Sequence, residues 1–307
     1  MARPSYIGHM PVARMVDGKA MAAAIRKEIA AEVRHLARAH GGRRPGLCAI
    51  ICGDRMDSRT YVRLKSGAAE ACGFHSAIVN LPSTSTQEDV VREIQLLNSD
   101  TSCNGIIVQL PLPSHIDECA AMSTISTEKD ADGVLPIHVG MVHMRKYVPA
   151  VIPCTPAAVM EILHQYKLEI PGKREAVLGY SNIIGAPVAA LLMDGDTTVT
   201  VVHSASPLPD IVDIVRSSDI VVSAVGKPGF VEGSWIKSGT VVIDVGTTPV
   251  SDPTRSKGYS LVGDVLFEAA SLRASLITPV PDGVGPMTVA MLLRNTLTNF
   301  NKSACTI

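Results

Sequence analysis

The chain has 307 residues, 46% of them hydrophobic, enough for two packed domains and near the upper size of a single core. Its 28 basic residues are matched by 29 acidic ones, so no surplus of positive charge is left to neutralise a nucleic-acid backbone. No apolar run approaches the roughly 20 residues that span a bilayer, and the seven cysteines, in mostly apolar or helical surroundings, read as free thiols in a reducing compartment. A cytoplasmic protein with no membrane, nucleic-acid or metal partner is expected.

In chain order, residues 1–10 lack the apolar core of a signal peptide and read as an extension. From Asp17, an N-cap, the residues Met21, Ile25, Ile29, Val33 and Leu36 recur at helical spacing until Gly41 and Gly42 end the run. A buried strand is predicted from Leu47 to Gly53, a helix from near Ser58 to Gly73, a strand from Ser76 to Leu81, a helix from about Gln87 to Leu97, and a strand from Gly105 to Pro113. Strands alternating with helices imply parallel pairing in a doubly wound sheet. Pro149, Pro153 and Pro156 break the pattern, which restarts with E-A-V-L-G-Y-S, T-V-T-V-V-H-S, D-I-V-V-S-A-V-G and T-V-V-I-D-V-G. The class is therefore α/β: a domain over residues 1–150, a second, Rossmann-like domain over 151–284, a cleft between them, and a last apolar helix (285–307) packing back on the first domain.

Gly179 to Pro187, G-Y-S-N-I-I-G-A-P, stands where a strand turns into a helix. Glycines there let the backbone approach a pyrophosphate, and the helix start offers free N–H groups and a positive dipole end. Ser181 holds the second glycine's place of G-x-G-x-x-G, and Gly185 comes one residue late, so tight turns alone would also explain the glycines. The next strand ends in His203-Ser204, where such folds read the adenosine ribose; further strands end at Gly226 and at Asp244 to Gly246, on the edge where ligands bind.

Other residues carry candidate chemistry. Tyr61 and Lys65 lie four apart on a helix that follows the first strand, and so share one face; a lysine partly desolvated at the sheet's carboxyl edge can serve as a general base, whereas an exposed pair would mean nothing. Gln109 interrupts an apolar strand and must find a partner, either a structural hydrogen bond or an approach to Lys65 or substrate. In K-D-A-D-G, Lys129 to Gly133, the acids form either a solvated turn or an acceptor for the N–H/NH₂ edge of a pterin-type ring.

The blocks D-S-R-T-Y-V-R-L-K, G-I-I-V-Q-L-P-L-P, E-K-D-A-D-G, P-C-T-P, G-Y-S-N-I-I-G-A-P and P-V-P-D-G-V-G-P-M-T occur in this order, and with them the chain resembles the methylenetetrahydrofolate dehydrogenase/cyclohydrolases from about Asp17 to Phe300. The resemblance implies oxidation of 5,10-methylenetetrahydrofolate with NADP, hydrolysis of the methenyl product to 10-formyltetrahydrofolate, a homodimer, and a supply of one-carbon units for purine synthesis. It implies that Lys65 is the lysine of the hydrolytic step, held by Gln109, that Tyr61 packs on the aminobenzoyl ring, and that Asp132 anchors the pterin. Leu110, Pro111, Pro279, Pro281, Asp282, Gly283 and Thr288 would complete the folate site. Gly179, Tyr180, Ser181, Ile184, Gly185, His203, Ser204, Ala224, Val225, Gly226, Asp244, Gly246 and Thr247 would line the nucleotide site.

Four positions depart from the family pattern. Tyr180 stands where an arginine commonly pairs with the NADP 2′-phosphate, which tyrosine cannot do through a charge. Asp282 replaces a usual glycine, His138 a usual asparagine, and Thr247-Thr248 the common Ile-Asn. The chain has no G-x-x-x-x-G-K-[ST] loop for the ligase of larger relatives. Two rivals differ in class: a two-domain dehydrogenase for a small hydroxy or amino acid, which the set Tyr61, Lys65, Gln109 and Asp132 opposes, and a non-enzymatic folate- or nucleotide-binding protein, which would lack Lys65 or Gln109.

Overall fold

The computed structural model describes residues 12–147, 149–255 and 258–304. They form two compact units, one of Lys19–Ala158 with the chain from Pro286 onward, the other of the described residues through Gly18 with Val159–Gly285. The expectations for residues 1–10 and for Cys305 lie outside the described residues.

The described residues open with a short strand, β1 (Arg14–Met15), and the helix α1 (Gly18–Ala39), which buries Ala22, Ile25, Ile29 and Val33 and is followed by Gly41 and Gly42, both at positive φ. All seven residues of β2 (Gly46–Cys52) are buried, as a central parallel strand requires. After it come α2 (Met56–Ala71), β3 (His75–Leu81), α3 (Gln87–Ser99) and β4 (Gly105–Val108). The sheet order is β3-β2-β4, both pairings parallel, with Leu47 opposite Ser76 on one side and Gly105 on the other. Because the chain leaves β2 in one direction and returns on the other side, the carboxyl ends of β2 and β4 flank a switch point, where sheets of this kind bind ligands. Ile50, Val90, Ile94, Ile106 and Val108 fill the core beneath.

The strand predicted over 105–113 is shorter, ending at Val108. Pro111 and Pro113 have no N–H to give to a ladder, so Gln109 lies just past the strand and not within it. Three helices follow, α4 (Glu118–Ser123), α5 (Pro136–Val142) and α6 (Cys154–Gln165).

The second unit is built on a parallel sheet of β5 (Arg174–Leu178), β6 (Thr198–Val202), β7 (Ile220–Ser223), β8 (Val241–Asp244), β11 (Leu276–Ile277) and β1, in the order β1-β11-β8-β7-β5-β6. The helices α7 (Gly185–Asp194), α8 (Leu208–Ser217) and α9 (Phe267–Ser271) connect it, and β9 (Thr248–Ser251) with β10 (Tyr259–Val262) forms a separate antiparallel hairpin. With β6 and β7 on opposite sides of β5, this sheet too has a switch point, between β5 and β7. The last helix, α10 (Val284–Ala304), sends the Asn295 amide to the carbonyls of Ala131 (3.0 Å) and Ile152 (2.9 Å) in the first unit.

Both margins of the predicted 1–150 division differ. Arg14 N–H donates to Ser275 O (2.9 Å) and Val16 N–H to Ile277 O (2.9 Å), which draws the opening segment into the second unit, while Val151–Ala158 stay with the first. A two-residue strand is too short to show a period of two in sequence. No helix among the described residues is long and apolar enough to cross a membrane.

Candidate active site

In the first unit, α2 buries Ser58, Val62, Ser66 and Ala69, and Lys65, three residues after Val62 and four before Ala69, lies at the margin of that stripe with Tyr61 one turn before it. Tyr61 is exposed, whereas Lys65 is mostly covered, and its Nζ lies 3.7 Å from Asp132 Oδ1 with the two side chains only 18% and 22% exposed. An ion pair this enclosed is stronger than one in open solvent.

The turn that presents Asp132 is made by its neighbours. Asp130 is fully buried; its carboxylate accepts the N–H groups of Gly133 (2.8 Å) and Leu135 (2.9 Å) and meets His138 Nδ1 at 2.8 Å. Gly133 adopts φ +71°, and a Cβ there would lie 2.8 Å from the Ile152–Pro153 peptide. The first acid of K-D-A-D-G thus shapes the loop and the second is offered to Lys65, so the solvated-turn reading does not hold. His138, one of the four departures, takes up the Asp130 carboxylate. Cys154, on which the sequence reading placed no role, braces the same loop: its N–H donates to Asp132 O (3.1 Å) and its thiol, pushed well up by burial, donates to Ala131 O (3.3 Å).

Gln109 follows β4 with its backbone N–H on Ile50 O (2.9 Å) and its side-chain amide on Leu110 O (2.7 Å). Its Oε1 is enclosed and has no hydrogen-bond partner among the described residues. The expectation that Gln109 holds Lys65 is therefore corrected: the partner of Lys65 is Asp132. An unpaired buried amide oxygen costs about 1–3 kcal/mol, so it marks an acceptor for a donor that the chain does not supply. Leu110 beside it is half-buried and Pro111 exposed.

Of the other predicted substrate residues, Pro279, Pro281, Asp282 and Gly283 belong to the second unit and Thr288 to the first. Asp282 sits at φ +87°, a conformation suited to glycine that aspartate tolerates better than most residues. At Gly283 a Cβ would lie 2.5 Å from Pro279 O.

At the second unit's switch point Gly179 has φ +110°, and a Cβ on it would lie 2.3 Å from Ala224 O; one on Gly185 would lie 2.1 Å from Gly179 O. These two glycines let the turn from β5 into α7 close on the loop after β7. Ser181 Oγ accepts the N–H groups of Ile184 (3.1 Å) and Gly185 (3.3 Å), so the serine in the glycine's place holds the turn that leads into α7. Tyr180 is 63% exposed, its ring 6.5 Å from that of His203. His203 Nδ1 accepts Ala205 N–H (3.3 Å), and Ser204 is exposed.

Asp244 is not open to a ligand. It is buried, and its carboxylate accepts N–H groups from Gly246 (2.9 Å), Asp264 (3.0 Å) and Val265 (2.9 Å); burial pushes its carboxyl up to about 6. Its role as a cofactor contact is corrected to that of a turn-former, while Gly246 is buried beside it and Thr247 exposed. Asp264, which the sequence reading missed, is fully buried and accepts the N–H groups of Val225 (2.7 Å), Gly226 (3.2 Å) and Lys227 (2.9 Å) together with the Ser223 hydroxyl (3.2 Å). The signal was available: a carboxylate in the apolar run L-V-G-D-V needs partners as much as Gln109 does.

Residues 16–132 match the family model for the tetrahydrofolate dehydrogenase/cyclohydrolase catalytic domain, and residues 153–304 the model for its NAD(P)-binding domain. The chain is 50% identical over 288 residues to the bifunctional protein FolD 4, chloroplastic, of Arabidopsis thaliana, covering 94% of this chain and 79% of that protein. Among solved structures it is similar to the Trypanosoma brucei N5,N10-methylenetetrahydrofolate dehydrogenase-cyclohydrolase complexed with NADP and an inhibitor, with 60% identity, a TM-score of 0.94, and coverage of 96% of this chain and 99% of that one. The bifunctional enzyme of Campylobacter jejuni is 38% identical with a TM-score of 0.86, covering 94% and 98% of the two chains.

Proposed function

This chain belongs to the tetrahydrofolate dehydrogenase/cyclohydrolase family, and from that premise we infer how its residues divide the work of two consecutive reactions. It oxidises 5,10-methylenetetrahydrofolate to the 5,10-methenyl cation with NADP and hydrolyses that cation to 10-formyltetrahydrofolate. The observation that carries the assignment of residues is the enclosed Lys65–Asp132 pair in the same unit as the buried, unpartnered Oε1 of Gln109.

The oxidation asks chiefly for positioning. Tyr61 offers an exposed ring for the aminobenzoyl group, Asp132 a carboxylate for the pterin edge, and the Gln109 oxygen an acceptor for a substrate donor. NADP, when bound, takes up the hydride. Its fit is supported by the glycine-lined turn before the ten-residue helix α7, by the exposed Ser204, and by Gly226, where an added Cβ would meet nothing within 4 Å. In the hydrolysis, water adds to the methenyl carbon, and Lys65 takes up and returns protons as the ring opens, with Asp132 holding its ammonium form. Leu110, Pro111 and Thr288, which belong to the same unit, complete its part of this proposed folate site.

A spectrophotometric assay decides between this reading and its rivals. NADP reduction with methylenetetrahydrofolate, followed by acid conversion of the formyl product to the methenyl chromophore, is the expected result. NADP reduction with a hydroxy or amino acid alone, or binding without turnover, would overturn it. The reading further includes a cytoplasmic homodimer that supplies one-carbon units for purine synthesis, on the family resemblance; sedimentation equilibrium giving twice the 32.4 kDa chain mass is the expected outcome for the dimer.

A further inference from the structure

Two of the carboxylates sealed inside the second unit lie side by side, and neither faces solvent: Asp264 is 0% and Asp244 3% exposed. A buried charge persists only where hydrogen bonds replace its water, and the donors here are almost all backbone amides. Asp264 gathers three successive N–H groups, those of Val225, Gly226 and Lys227, which with Gly226 at φ +69° form a concave row of donors of the kind that cradles anions. In this protein the chain's own carboxylate fills that concavity from beneath.

The position of this loop gives the contact its meaning. It leaves β7 at the switch point, and Ala224 O lies so near Gly179 that no side chain fits between them. In a sheet of this order the halves on either side of the switch point hold the two halves of a dinucleotide, and the β7 side is opposite the one that reads the adenosine ribose. Asp264 is in turn fixed by Asp244, which accepts its N–H, and by Gly246, where a Cβ would lie 2.3 Å from the Asp264 Cγ. One buried carboxylate thus sets the course of the loop after β7, and the second locks it to the turn after β8.

Resting on the cofactor reading above, we propose that Asp264 is a positioning residue for NADP, acting through the Val225–Lys227 loop on the nicotinamide half of the cofactor. In Asp264→Asn the shape is kept, but one side must present an NH₂ group either to Lys227 N–H or to the amides of Val225 and Gly226, so the loop cannot keep all its bonds.

Isothermal titration calorimetry with two probes tests this. For D264N folded by circular dichroism, the NADP dissociation constant should rise at least about tenfold, whereas 2′,5′-ADP, which lacks the nicotinamide half, should bind within about threefold of the wild type. Equal weakening of both probes would make Asp264 a general structural brace, and unchanged NADP affinity would remove its role; either result overturns the proposal. A wild type that binds a folate analogue but not NADP would remove the cofactor reading, and this inference with it. Should D264N not fold, Ser223→Ala takes away a single donor and should weaken NADP about two- to tenfold without affecting 2′,5′-ADP; no change there would overturn the proposal.

Discussion

In the role proposed above, Lys65 serves the hydrolysis and not the hydride transfer, so the two half-reactions can be separated at this one residue. Expelling hydride needs no proton acceptor at Nζ, whereas hydrating and opening the methenyl ring does, and general acid–base assistance is usually worth about 10²- to 10⁴-fold. Methionine keeps much of the side chain's length while removing the ammonium that faces Asp132 at 3.7 Å. Lys65→Met should therefore lose cyclohydrolase activity by that factor, keep measurable dehydrogenase activity, and release methenyltetrahydrofolate, which a stopped assay at the methenyl absorbance detects. Equal loss of both activities would make Lys65 a binding residue. Tyr180, 63% exposed on the nucleotide side, offers the converse test of adding a charge. Tyr180→Arg should tighten NADP over NAD by up to about fivefold, the worth of an exposed ion pair of about 1 kcal/mol, as measured by kcat/KM for each cofactor; an equal change for both would put the 2′-phosphate elsewhere.

At the scale of elements, helical spacing located α1, which buries Ala22, Ile25, Ile29 and Val33, and the glycine at Gly73 marked the end of α2. For α3 the start is specified by chemistry as well: Thr86 Oγ accepts Asp89 N–H (3.2 Å) and Asp89 Oδ2 accepts Thr86 N–H (3.0 Å), and that backbone bond above all holds the Asp89 carboxyl below its ordinary range. Thr86→Ala should lower the stability of the first unit by about 1 kcal/mol, read as a lower urea midpoint at unchanged m-value. No shift would mean that packing alone fixes the helix start. The strand at Gln109 was legible as a strand but not in length, since an apolar run reads the same whether or not it is paired, and only its neighbour's ladder shows where pairing stops.

For the whole molecule, the buried carboxylates of the second unit make folding stability depend on pH. Burial pushes the carboxyl of Glu175 on β5 up to about 8, because neither of its oxygens has a hydrogen-bond partner among the described residues, the nearby Thr197 hydroxyl being donated to Leu192 O (2.9 Å). A folded-state value raised above the unfolded one means that the native state keeps the proton longer, so stability is full at low pH and declines as pH rises through the interval. That interval runs from 4.5 to about 8 for Glu175 and from 3.8 to about 6 for Asp244. Urea unfolding followed through Trp235, the only tryptophan and a member of this unit's core, should show the decline, and Glu175→Gln should flatten it between pH 6 and 8. An unchanged slope in the variant would mean that Glu175 is already ionised in the fold. What the sequence by itself determined was the alternation of strands and helices and the glycine-bearing turn from β5 into α7, because each depends on neighbours within a few positions. Only the tertiary structure decided that Lys65 pairs with Asp132 and not Gln109, that Asp130 and His138 build the turn between them, that Asp244 and Asp264 face inward, and that Arg14–Met15 joins a sheet formed some 260 residues later. These are pairings across long stretches of chain, set by which buried donors and acceptors the packed elements bring within reach, and no local pattern encodes them.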